Sequence, residues 1–173
     1  MTFMNKPGRT LGAALAALAA AMIGGGTSLS AVEPAAPAAV DVSKLSKNEI
    51  ETLIYERQQL MIQIDKDSEL LGEIVAGIAP ATKLKETTAA LARDAKESHA
   101  AFSMKVPGGR TKPEAWSNWA DFSKRLDAFV AGAEKIAKLG ETGSVPAVND
   151  VLGDAMTCKG CHELYREPKK PTT

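Results

Sequence analysis

Histidine, cysteine and aromatic side chains are scarce in this chain. Its 173 residues include two His, two Cys and 5% aromatics. A structural zinc site needs four ligands, so a chain with two His and two Cys is not expected to form one. Net charge is also lacking, because 21 Lys and Arg offset 21 Asp and Glu. With no basic patch in the sequence, nucleic acid is not an expected partner. Alanine, leucine, lysine and glutamate are abundant, which favours helix.

No apolar run is long enough for a comfortable membrane span, which takes about 20 residues. The longest run, Leu11–Ile23, follows two basic residues and precedes the small residues of "GGGTSLSA". This order is typical of a secretory signal peptide. We therefore predict a cleavable signal peptide over residues 1–30, cut near Ser30 or Ala31, and a mature form without a membrane segment. An uncleaved anchor is the alternative.

The rest of the chain divides by composition. Residues 31–45 are rich in Ala and Pro and are predicted to be a flexible leader. Residues 46–166 are predicted to form one compact domain, and residues 167–173 a disordered tail.

The first predicted helix starts at Ser46 and Glu49, whose S-x-x-E spacing is that of a capping box. Pro80 should end it. Two polar residues, Arg57 and Ser68, lie on its otherwise apolar stripe of Ile50, Ile54, Met61, Ile64, Leu71, Val75 and Ile78.

Three further segments have helical periodicity. The second helix is expected over roughly residues 82–102, and a plain loop, 106–113, follows it. A second capping box, Thr111 and Glu114, should start the third helix, and Ser144 should cap the last. No segment has a strand pattern. The sequence therefore predicts an all-α, antiparallel up-and-down four-helix bundle.

Both cysteines lie close together near the C-terminus, in Cys158-Lys-Gly-Cys161-His162. The C-x-x-C-H spacing is the attachment signal of c-type haem. Two thiols can add to the two haem vinyl groups, and His162 can ligate the iron. Positions i, i+3 and i+4 share a helix face, so all three side chains can meet one porphyrin. We expect one covalently attached haem c, whose removal should loosen the bundle.

Other readings of the motif are weaker. A redox dithiol is expected in a βαβ context, which is missing. A Cys158–Cys161 disulfide would close a very small loop and stabilise little. A chance occurrence of the motif is the remaining alternative.

Three stretches resemble the cytochrome c-prime family: "CKGCHELYR" near the C-terminus, "FSMKVPGGRTKPEAWSNWADF" in the middle, and "RQQLM" on the first helix. The likeness covers about residues 46–166. It implies a haem between the helices, frequent homodimers and a bacterial periplasm. The family has a five-coordinate, high-spin branch that binds nitric oxide or carbon monoxide. It also has a six-coordinate, low-spin branch, like cytochrome c-556, with a methionine on the iron.

The resemblance implies that the distal residue lies four positions after an arginine on the first helix. Arg57 plus four is Met61, which also lies on the buried stripe. A thioether on the iron would stabilise the ferrous state. We therefore place the chain in the low-spin branch, with His162 and Met61 as metal ligands. The alternative for Met61 is ordinary core packing. His99 lies near the edge of the apolar face of the second helix; it is a weaker candidate ligand and is expected to be a surface or boundary residue.

Two arginines complete the predicted cofactor-binding set. A buried, unpaired Arg57 would be costly, so it should meet an anion, and a haem propionate is the natural one. Arg166 lies four residues after His162 and shares its face. The resemblance implies that Arg166 lies close to the proximal histidine.

The function predicted first is a periplasmic cytochrome that carries single electrons between redox partner proteins that the sequence does not identify. The alternative is a five-coordinate protein that binds nitric oxide or carbon monoxide. Asp65 and Asp67 do not share a helix face, and no other acid–base set is visible, so we do not expect an enzyme. A homodimer is a further expectation from the resemblance.

Overall fold

The computed structural model describes residues 41–169. The predicted signal peptide, most of the leader and the end of the tail lie outside the described residues. The helices are α1 (Lys47–Val75), α2 (Leu84–Ser103), α3 (Glu114–Ser117), α4 (Trp119–Gly140), α5 (Val145–Ala155) and α6 (Cys158–Tyr165), with 3-10 turns at Val42–Lys44 and Ala81–Lys83. None of the described helices is long and apolar enough to cross a membrane.

The long helices close into a ring. α1 packs on α2, α2 on α4, α4 on α5, and α5 returns to α1. α3 is a single turn that leads into α4, and α6 follows α5 in the fourth position. Over the described residues there is no strand, only two isolated bridges. The predicted all-α four-helix bundle is confirmed.

The first helix starts where the sequence predicts. Ser46 Oγ accepts from the Glu49 amide at 3.3 Å, and the Glu49 carboxylate accepts from the Ser46 amide at 2.8 Å. The helix ends earlier than expected, at Val75, because the chain turns at Gly77 with a φ of 73°. Ile78 therefore falls outside the apolar stripe and is 77% exposed.

The second capping box is wrong. α3 begins at Glu114 without any side-chain cap, and Thr111 instead forms bridges with Gly108 and Arg166. A break at Asn118, with φ −113° and ψ 48°, separates α3 from α4. The predicted third helix is thus two helices.

The last predicted helix is also divided. Ser144 caps α5 as predicted, its Oγ accepting from the Ala147 amide at 3.3 Å. The chain leaves helical geometry at Met156 and Thr157, and α6 begins at Cys158. The C-x-x-C-H motif therefore has a short helix of its own.

Two apolar clusters fill the bundle. The larger lies among the four long helices, and the smaller contains Phe102, Ala115, Phe122, Leu126 and Tyr165. Met61 on α1 contacts both clusters. The side chains of the predicted site meet beside this junction.

Candidate functional site

A cavity of about 560 Å³ opens between α1, α2, α4 and α6. Its walls include every residue that the sequence assigns to the site: Arg57, Met61, Cys158, Cys161, His162 and Arg166. Residues more than 100 positions apart in the sequence thus converge on one space.

The α6 wall carries the two thiols and the imidazole. Cys158 is exposed, and Cys161 and His162 are half-buried. The surrounding protein partly desolvates both thiols and raises the pKa of each. Burial also lowers the pKa of His162, and the nearby cations Arg166 and Arg110 lower it further. The imidazole is therefore neutral at pH 7, the form that can ligate a metal. The two cysteines are not joined to each other.

The α1 wall carries Met61, which is partly buried. Apolar side chains surround it along the cavity, namely Ile64, Phe102, Phe122, Leu126 and Phe129. His99 is not among the lining residues. Its Nε2 lies 3.1 Å from Asp127 Oδ1, on the surface between α2 and α4. This placement agrees with the expected edge position and gives no support to His99 as a ligand.

Arg57 is 3% exposed and is held by the chain itself. Its Nη1 donates to the Val106 carbonyl at 2.9 Å and its Nη2 to the Gly108 carbonyl at 3.1 Å. The guanidinium also lies over the rings of Phe102 and Trp116, at 5.0 and 5.4 Å. Burial lowers the pKa of Arg57. Arg57 is therefore not unpaired as expected, because two carbonyls and two rings offset part of the cost of its burial. Its contact with a haem propionate stays a prediction.

The loop that Arg57 holds is more ordered than expected, and we call residues 106–112 the strap. The amide of Lys112 donates to the Tyr165 carbonyl at 2.9 Å, and the amide of Glu167 donates to the Arg110 carbonyl at 2.7 Å. The Arg110 guanidinium donates back to the Glu167 carbonyl. The strap therefore ties the α1 wall to the end of α6. Glu167 is fixed by these bonds, so the predicted disordered tail is wrong at this residue.

Sequence reasoning missed Arg125 on α4, which also lines the cavity. Arg125 Nη1 donates to the Gly160 carbonyl at 3.1 Å, and Nε donates to Asp121 at 2.7 Å. The i, i+4 spacing of Asp121 and Arg125 is a visible signal for the ion pair. The link to Gly160 has no local signal because it spans 35 residues.

The residues present fit a covalently attached haem. Two thiols at i, i+3 and an adjacent neutral imidazole supply the attachment and ligand chemistry of a c-type site. The cavity has a cofactor-sized volume and a mainly apolar lining, as buried cofactor sites do.

Comparison with known proteins supports this fit. A family profile described as Cytochrome C' matches residues 52–166. Cytochrome c' of Alcaligenes xylosoxydans xylosoxydans is 31% identical over 99 residues, which cover 56% of this chain and 78% of that protein. Cytochrome c' of Rubrivivax gelatinosus is 28% identical over 102 residues, covering 58% and 71%.

Solved structures share the fold. A ferrous variant of cytochrome c prime from Alcaligenes xylosoxidans superposes with a TM-score of 0.64 at 27% identity, covering 69% of this chain and 97% of that one. Another ferrous variant of the same protein, with bound NO, gives a TM-score of 0.64 and also covers 69% of this chain and 97% of that one. A nitric oxide complex of a further mutant gives 0.63.

Proposed function

Because the chain belongs to the cytochrome c' family and so carries covalently attached haem c, we propose that it binds nitric oxide at a five-coordinate haem iron. The observation that carries this function is the likeness to neighbours solved with nitric oxide bound, at 27% identity over 97% of their length. This function corresponds to the five-coordinate, high-spin branch, which is the alternative predicted from the sequence.

The bound haem supplies an iron that can take up a diatomic gas. We propose that the thiols of Cys158 and Cys161 would attach the haem and that the His162 imidazole, whose pKa is lowered by burial, would ligate the iron. In this function Met61 would be an apolar packing residue of the α1 wall and not a ligand. Among the described lining residues, His162 is the single imidazole. Gas binding requires no bond chemistry on a substrate, so we propose a binding protein rather than an enzyme.

Electron transfer is the second candidate, and the position of Met61 favours it. Met61 lies in the cavity wall on α1, whereas His162 lies on α6, so the two side chains enter the cavity from different helices. A His162–Met61 pair would raise the reduction potential and keep the iron six-coordinate. Whether the thioether reaches the iron decides between the two candidates.

We also propose a periplasmic location after removal of residues 1–30. Partner redox proteins and a homodimer stay predictions. Two large apolar side chains on α1, Tyr55 and Ile62, are 60% and 46% exposed. We expect the homodimer interface to include them.

Titration of the reduced protein with carbon monoxide and then nitric oxide tests the first candidate. The control variant is Met61→Leu, which keeps an apolar side chain of similar volume and removes the sulfur. Gas binding by the native protein with one equivalent per haem, unchanged in Met61→Leu, is the expected result. A native protein that binds gas only after this substitution would favour electron transfer.

A further inference from the structure

Arg125 joins α4 to the helix that carries the haem motif. Its Nε and Nη2 donate to the two carboxylate oxygens of Asp121, at 2.7 and 3.4 Å. Its Nη1 donates to the Gly160 carbonyl at 3.1 Å. Gly160 lies between the two cysteines of the motif. One planar guanidinium therefore holds a carboxylate on α4 and a backbone carbonyl on α6 at the same time.

Asp121 also holds the other end of α6. The hydroxyl of Tyr165 donates to Asp121 Oδ2 at 2.5 Å and accepts from Asn118 Nδ2 at 3.0 Å. Tyr165 is 5% exposed and packs on Phe122 with ring centroids 4.9 Å apart. We call Arg125, Asp121, the Tyr165 side chain and the Gly160 carbonyl the clamp. The clamp holds α6 two residues before His162 and three residues after it.

The helix that the clamp holds is too short to set its own position. α6 has eight residues, and Thr157 at its start makes no side-chain cap. A helix of this length gains little stability from its own backbone. The break at Met156 and Thr157 also separates it from α5. Tertiary contacts must therefore fix its orientation, and the clamp and the strap supply them.

We propose that Arg125 is a positioning residue for the haem, which fixes the direction of the His162 imidazole through the Gly160 carbonyl and through Asp121 and Tyr165. The inference rests on the proposed attachment at Cys158, Cys161 and His162. Lysine cannot replace Arg125, because a single ammonium lacks the planar fork that meets both partners.

The test compares Arg125→Lys and Arg125→Gln in the haem-loaded protein. Arg125→Lys keeps the positive charge and loses the fork, so it separates geometry from charge. The readout is the iron–histidine stretching band of the ferrous protein by resonance Raman, together with the reduction potential. Lys159→Gln is the control, because Lys159 is an exposed cation in the same motif that pairs with Glu163 on its own helix. We expect a shifted and broadened band in both Arg125 variants and the native band in the control.

A native band in Arg125→Lys would overturn the inference, even if its melting temperature falls. Should Arg125→Gln fail to fold, Tyr165→Phe removes only the hydroxyl at the other end of the clamp and should shift the band in the same direction. A native band in Tyr165→Phe would then count against the clamp. Covalent haem is measured first in every sample. Its absence from the native protein would overturn the proposed function and this inference together, whereas full haem with an unchanged band overturns the inference alone.

Discussion

At the scale of single residues, Asp67 is a carboxyl group held in the interface between α1 and α2. It is 9% exposed, and Asp94 opposite is 2% exposed. Gln63 Nε2 donates to Asp67 Oδ1 at 3.0 Å, while Oδ2 of each aspartate has no hydrogen-bond partner within the described residues. Burial raises the pKa of Asp67, and the proximity of Asp94 raises it further. The folded state therefore favours the protonated form of Asp67 over its carboxylate form.

A raised pKa in the folded state has a defined effect on stability. The contribution of Asp67 is complete below its ordinary pKa of 3.8 and is lost as the pH rises through the folded value. Asp67→Asn should flatten this dependence and raise the free energy of unfolding at neutral pH by on the order of 1 kcal/mol. Urea unfolding between about pH 4 and pH 8 measures both effects. The control is Glu69→Gln, an exposed acid on the same helix. Parallel pH curves for the native and Asp67→Asn proteins would contradict the assignment.

Local spacing predicted the site residues, but not their partners. Cys158, Cys161 and His162 lie within five positions, so helix geometry alone places them on one face. Arg57 is different, because the carbonyls that satisfy it lie 49 and 51 residues away in the strap. A periodic pattern shows that Arg57 is buried, and only the folded chain shows what it contacts.

At the scale of elements, a glycine lets α4 and α5 approach each other closely. A Cβ at Gly132 would overlap the backbone carbonyl of Ala155, which cannot move without shifting the end of α5. Gly153 on α5 has open space around its would-be Cβ. Gly132 and Gly153 therefore share helical secondary structure but differ in the space around a would-be Cβ.

Gly132→Ala should destabilise the fold by about 1–3 kcal/mol, the usual cost of overpacking. Gly153→Ala is the matched control and should be neutral or stabilising by up to about 1 kcal/mol, since alanine favours helix. Thermal unfolding of the haem-loaded variants compares them directly. Equal effects of the two substitutions would show that close approach of α4 and α5 does not matter.

Helix ends were predictable where a local bond forms them. The Ser46 and Ser144 caps are both present, because each hydroxyl meets an amide three residues ahead. Thr111 has the same local pattern, yet it pairs with Arg166 across the chain and caps nothing. The break before Cys158 had no sequence signal, since the apolar spacing continues through it. Tertiary contacts therefore determine the pairing of Thr111 and the break before Cys158.

At the scale of the whole molecule, a cavity of about 560 Å³ lies within the bundle, and we expect covalent haem to fill it as part of the core. The smaller apolar cluster lies beside that cavity and includes only five buried residues. We expect the helices to pack less firmly around this cavity when haem is absent. The family relationship supports this reading, because cytochrome c' proteins share the fold and the covalent haem.

The protein without haem should keep helical far-ultraviolet circular dichroism and lose cooperative melting, as a molten globule does. A Cys158→Ser, Cys161→Ser double variant, purified without haem, provides this form. Haem-loaded native protein is the control. Cooperative, native-like melting in the haem-free variant would show that the helices pack fully without the cofactor.

The proposal that the haem iron is five-coordinate is tested most directly by absorption spectroscopy. The spectrum of the purified haem protein is recorded in the ferric and then the ferrous state, beside that of a Met61→Ala variant. A five-coordinate site with His162 as its one protein ligand predicts a high-spin spectrum in the native protein, unchanged by the substitution. A low-spin native spectrum with sharp reduced bands, which becomes high-spin in Met61→Ala, would contradict it. That result would make Met61 the sixth ligand and electron transfer the function.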